Sequence, residues 1–132
     1  MVPAPWTRTI TELCADGVRG EVYAHELVKV APGSAADVLE RARDASDLHG
    51  AHGWELAGAF TTAMVNDDEA LLLWAIPTWA QWGEAEQDDK LTAWRRSLDP
   101  VDWHRILLVD APLCPFRTGR QPARSDRTDW QE

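Results

Sequence analysis

Ala70-Leu71-Leu72-Leu73-Trp74-Ala75-Ile76 and Ile106-Leu107-Leu108-Val109 are two runs without a single polar residue. A strand with one face in water alternates apolar with polar side chains, so an unbroken apolar run marks a strand covered on both faces. The chain carries only enough helical pattern to cover one of those faces. The second face needs another cover, and the simplest one is a second copy of the same chain.

The segments around these runs complete a fold. Glu21 to Val30 reads as a strand with Val22, Ala24, Glu26, Val28 and Val30 on one face and Tyr23, His25, Leu27 and Lys29 on the other. Ala31-Pro32-Gly33 stops it, and Ser34 is the expected N-cap of a helix from about Ala35 to Leu48. Ala35, Val38, Leu39, Ala42 and Ala45 recur at helical spacing and form its buried stripe. Trp54 to Val65 is a second strand, with Gly58 marking a bulge or bend. Asn66-Asp67-Asp68-Glu69 turns the chain back, so the run from Ala70 to Ile76 pairs antiparallel. Pro77 ends that strand and Thr78 caps a second helix, with Trp79 and Trp82 one turn apart and facing the sheet. This helix is expected to break near Asp88-Asp89 and resume over Lys90 to Leu98, with Leu91, Trp94 and Leu98 on one side. A last strand spans Trp103 to Asp110.

The order strand, helix, strand, strand, helix, strand is the α+β ferredoxin-like βαββαβ arrangement. It predicts a four-stranded antiparallel sheet with both helices on one face. The folded domain is expected over residues 21–121. Residues 1–20 form an irregular segment with a short strand around Thr7 to Leu13, and residues 122–132 a flexible polar tail. Two such sheets facing each other close into a dimeric α+β barrel, so a homodimer is expected.

Charge and composition exclude several classes of function. The chain has 132 residues and a net charge of -9, which suits one acidic domain. Its only lysines are Lys29 and Lys90, and its arginines are scattered. Nucleic acid and anionic membranes both require a concentrated basic face, so neither is an expected partner. No apolar run approaches the roughly 20 residues needed to span a bilayer. Met1 to Trp6 lacks the basic start and apolar stretch of a secretory leader, and Cys14 and Cys114 are too few for a disulfide framework. The expected compartment is the reducing cytoplasm.

Several stretches resemble the NIPSNAP-like branch of the dimeric α+β barrel superfamily. They are Val22-Tyr23-Ala24-His25-Glu26-Leu27 with Lys29-Val30-Ala31-Pro32-Gly33, Gly53-Trp54-Glu55-Leu56, and Trp74-Ala75-Ile76-Pro77-Thr78-Trp79-Ala80-Gln81-Trp82. The ending Leu113-Cys114-Pro115-Phe116-Arg117-Thr118-Gly119-Arg120-Gln121-Pro122 matches as well. The resemblance covers about Glu21 to Pro122 and implies a homodimer with a cavity in each protomer. Activity in that family is mostly unassigned, so the resemblance speaks for the fold more than for a reaction.

Tyr23 and His25, two residues apart on one strand face, place a phenol beside an imidazole. Facing a cavity, that pair suits metal-free acid–base or oxygenation chemistry on an enolisable or phenolic molecule. The competing reading makes both residues hydrogen-bonded cavity or interface groups. Trp54, Phe60 and Trp74, with His104 and Arg117, are the candidates to bind a small apolar or aromatic ligand. A helix-to-sheet core is the commoner use of Trp74, Trp79 and Trp82. The commoner use of His104 is to cap a strand end or pack on Trp103, and that of Arg117 and Arg120 is an arm that crosses to a partner subunit and pairs with its acidic surface. Glu26, on the helix-covered face, is expected to pair with Arg41 or Arg43. His49 and His52 have a metal-binding spacing but no evident third ligand, so neither a metal nor a cofactor is expected. The expected function is small-molecule binding, with catalysis on the bound molecule as its extension. The alternative is a non-catalytic homodimeric interaction or structural protein.

Overall fold

The computed structural model describes residues 1–63, 68–111 and 114–119. Along the chain it forms β1 (Val2–Pro3), α1 (Ile10–Ala15), β2 (Val22–Lys29), α2 (Ala35–Asp44), α3 (Ser46–Gly50), β3 (Glu55–Thr61), β4 (Glu69–Ile76), α4 (Trp79–Glu86), α5 (Asp89–Ser97), β5 (Asp102–Leu108) and α6 (Pro115–Thr118). Among the described residues the strands make one five-stranded antiparallel sheet in the order β1-β3-β4-β2-β5. Without β1 this is the ferredoxin-like order. The fifth strand departs from the expected four: Val2 pairs with Thr61 and Pro3 with Phe60, which extends the sheet beyond β3. The register shift between Leu56 and Gly58 is the expected bulge.

Register decides which face each side chain serves. Ala24 lies opposite Trp74 and Leu107, and Tyr23 opposite Ala75 and Leu108. One face therefore gathers Val22, Ala24, Val28, Leu72, Trp74 and Ile76 into a core with Val38, Leu39 and Ala42 of α2 and Leu91 of α5. The helix breaks and ends follow local chemistry. Thr78 accepts a hydrogen bond from the Gln81 amide at 3.1 Å and starts α4, and Asp88 accepts from the Lys90 amide at 2.8 Å and starts α5. Ser34, by contrast, makes no side-chain cap. Trp82 packs on the core, whereas Trp79 points outward and is 47% exposed.

Residues Thr7 to Leu13 differ from the expected strand. Thr9 accepts from the Glu12 amide at 3.2 Å, and the Glu12 carboxylate accepts from the Thr9 amide at 3.4 Å. This reciprocal capping box starts a helix, and Leu13 of α1 packs with Val18, Tyr23, Ala57 and Ala75 on the opposite face of the sheet. With α6 it covers one end of the face expected to be bare. The rest of that face stays open, with Ile106 at 44% and Leu108 at 43% exposure.

Two buried polar groups are built into the helix-covered side. The expected helix to Leu48 divides at Ala45, and the break turns His49 inward. Its Nδ1 lies 2.9 Å from the Ala45 carbonyl oxygen, so the neutral ring donates there, and it stacks on Trp74 with centroids 3.9 Å apart. Burial pushes the His49 imidazole down to about 4. Glu26, 1% exposed, pairs with Arg105 at 2.9 Å rather than with an arginine of α2. The reason is register: Arg105 lies directly opposite Glu26, while Arg41 reaches Ser97 and Arg43 lies over the Trp6 ring.

Removing one partner of the buried pair strands the other, so Glu26→Ala should cost about 3–5 kcal/mol in denaturant unfolding. A loss below about 1 kcal/mol would show that the pair is not structural. His49 supplies an independent pH signature. Its folded value lies below the unfolded one near 6.5, so the unfolded chain binds the extra proton and stability falls as pH drops from about 6.5 to about 4. Unfolding midpoints of the wild type and His49→Gln should converge over that window; a pH-independent gap counts against the assignment.

Candidate functional site

The end of the open face beneath α6 combines an apolar cavity with a tethered phenol. Tyr23 projects there from β2, only 4% exposed, and its ring stacks on Phe116 with centroids 5.5 Å apart. Its hydroxyl donates to Asp110 Oδ2 at 3.0 Å and accepts from the Gly20 amide at 3.2 Å. Gly20 is needed for this approach, because a Cβ there would sit 2.2 Å from the Ile76 carbonyl oxygen. Asp110 is held in turn by Arg19 at 3.6 Å. Leu73, Leu108, Val109 and Cys114 complete a cavity of about 290 Å³. The walls are mainly apolar, and the polar atoms gather at the Tyr23–Asp110 end.

The electrostatics give the phenol a definite role. Burial, then the hydrogen bond and negative charge of Asp110, push Tyr23 up to about 12, against the opposing Gly20 amide. At neutral pH the side chain is a protonated donor and a poor base. His25 lies on the same face, opposite Leu73 and Ile106, and its Nδ1 is buried with no hydrogen-bond partner among the described residues. The arrangement can hold an apolar molecule against the phenol ring; His25 shares the sheet face but is not among the residues that line the cavity.

The other expected site residues separate into two groups. Phe60 lies opposite Leu71 and His104 opposite Leu27, both on the open face but away from the cavity lining. Arg117 sits exposed on α6. Trp54 and Trp74 belong to the helix-covered core, at 3% and 1% exposure, so the sheet separates them from Tyr23. Arg120 falls outside the described residues. Asp110, Phe116 and Leu108 are site residues that the sequence reading did not single out. For Leu108 and Asp110 the signal was the antiparallel pairing of β2 with β5, which sets Leu108 opposite Tyr23 and Asp110 two residues further along; Phe116 comes from α6, which no strand pairing reveals.

The remaining ionisable clusters make no second site of the expected kinds. His52 is engaged with Asp88 at 2.7 Å, and no group of three metal-ligating side chains occurs among the described residues. Both cysteines are free, and Cys14 Sγ lies 3.3 Å from the Pro115 carbonyl oxygen. No helix among the described residues is long and apolar enough to cross a membrane.

No family model matches the sequence, and no curated protein resembles it significantly. Solved structures do. An uncharacterized NIPSNAP domain protein from Burkholderia xenovorans superposes with a TM-score of 0.55 at 17% identity, over 71% of this chain and 98% of its own. A NIPSNAP family protein from Agrobacterium tumefaciens gives a TM-score of 0.57 at 16% identity, over 75% of this chain and 93% of that one. In fold, the chain is NIPSNAP-like. A second Agrobacterium tumefaciens NIPSNAP family protein, of unknown function, agrees at a TM-score of 0.56 and 16% identity, covering 74% and 95% of the two chains. The NIPSNAP-like frame leaves the chemistry to the residues of this chain, and Tyr23 can be read directly because it is the sole tyrosine.

The tyrosinate absorbance of the native protein should therefore rise only near pH 12, against about 10 after denaturation. Since the unfolded phenol ionises first, stability should fall as pH rises between those values. A native transition near 10 would show that the hydroxyl is not enclosed beside Asp110 as described.

Proposed function

We propose that the chain is a homodimeric binder of a small apolar or aromatic molecule. In this reading two copies cover each other's open sheet face, and each holds the molecule in the cavity beneath α6. The observation that carries it is the cavity itself: apolar walls of Leu73, Leu108 and Phe116 converge on one protonated hydroxyl held by Asp110. A few placed polar groups in an apolar concavity are the ordinary design of a small-molecule site. The exposed Ile106 and Leu108, together with the unpartnered His25 nitrogen, support burial of the neighbouring surface by a second copy. Catalysis on the bound molecule would require the Tyr23 hydroxyl to turn from Asp110 to the molecule, and His25, outside the cavity lining, to reach it as the proton acceptor.

Native mass spectrometry tests both halves at once. The wild type should appear as a dimer, and Ile106→Asp, on an exposed position, should convert it to a folded monomer at the same concentration. A wild-type monomer would overturn the homodimer. Mass retained with the protein, or saturable uptake of an uncharged naphthalene probe, should be lost in Leu73→Trp, which fills the cavity. A probe affinity unchanged in Leu73→Trp would remove the cavity from the reading.

A further inference from the structure

A second cavity lies on the helix-covered side of the sheet, where α5 meets β5. It has a volume of about 460 Å³ and is lined by Arg95, Arg96, Pro100, Trp103 and Arg105. Three arginines line it in a chain of net charge -9. We propose that this cavity binds a small organic carboxylate with a flat apolar body, the carboxylate on the arginines and the body against Trp103 and Pro100.

The scaffold around the arginines is fixed by two carboxylates. Glu26 Oε2 accepts from Trp103 Nε1 at 2.8 Å and from Arg105 Nε and Nη2 at 3.1 and 2.9 Å. Glu86 Oε1 accepts from Arg105 Nη1 and from Arg95 Nη2 at 3.3 Å. Among the described residues Arg105 thus spends three of its five N–H donors and Arg95 one. Arg96 is exposed and makes no ion pair among them. Three arginines and two carboxylates leave one positive charge and several unused N–H donors in excess.

That surplus selects the ligand class. One carboxylate neutralises one charge and accepts paired N–H donors from a guanidinium, whereas a phosphate dianion would bring one charge too many. The indole and proline ring exclude water from one side of the cavity and favour a flat apolar body. Burial, and next the neighbouring Arg105 charge, hold the Arg95 guanidinium below its ordinary value, as expected for a cationic cluster with room for an anion. The site is separate from the cavity beneath α6, on the opposite face of the sheet, and does not depend on dimer formation.

The test uses 2-naphthoate as probe, with 2-naphthamide as its neutral counterpart and inorganic phosphate as the bare anion. Calorimetry on the full chain should show saturable naphthoate binding, at least about tenfold tighter than the amide, and no tighter binding of phosphate. Arg96→Ala, at an exposed position, should weaken naphthoate about tenfold and leave the amide unchanged. Amide and nitrogen-15 arginine resonances of Arg95, Arg96, Trp103 and Arg105 should shift on titration. Equal affinity for acid and amide, preferred binding of phosphate, an unaltered Arg96→Ala, or shifts centred on Tyr23 and Phe116 would each overturn the proposal.

Discussion

The register of β2 against β4 and β5 fixes what each face of the sheet can do. Side chains alternate along a strand, so a slip by one residue would carry Tyr23 into the helix-covered core and Glu26 onto the open face. Neither could survive there with its present partners: Glu26 would leave Arg105 and Trp103 without their acceptor, and Tyr23 would lose Asp110 and Gly20. Both polar tethers cross the same β2–β5 seam, one on each face. The apolar neighbours Leu72 and Trp74, packed against the helices, hold the register from the β4 side.

The two tethers behave differently because their surroundings differ. Glu26 is almost wholly enclosed and faces a cation directly, so its charge is matched inside the core. Tyr23 is enclosed beside an anion, and the same burial keeps it neutral. A protein of this size therefore presents a neutral phenol in an apolar cavity on one face and a cationic cluster on the other. The two environments suit different chemical classes, and the sheet insulates each from the other.

Much of this was legible in the sequence, for identifiable reasons. The unbroken Ala70–Ile76 run, the Pro77-Thr78 stop and cap, and Asp88 at the helix break are local signals, and each produced its expected element. Gly58 marked the bulge because the strand on either side was strongly patterned. The Thr9–Glu12 capping box was also a local signal, but it was overshadowed by the β-branched residues around it, and α1 was missed. Partnering was harder to read. Arg105 answers Glu26, and Asp110 answers Tyr23, across 79 and 87 residues of chain. Only the strand order reveals such pairs. Trp54 and Trp74 could not be assigned to a cavity or a core without knowing which face the helices cover.

β1 contributes two residues to the sheet, yet it alters how the sheet ends. Pro3 has no amide hydrogen to offer outward, and so short a strand cannot template a long neighbour. It closes the β3 margin of the sheet against strand addition. The β5 margin has no such guard among the described residues, and Val109 beyond it is 67% exposed. Strand addition to this fold would thus pair β5 with β5 of a second copy about a twofold axis and stop there, because a growing fibre needs two open edges.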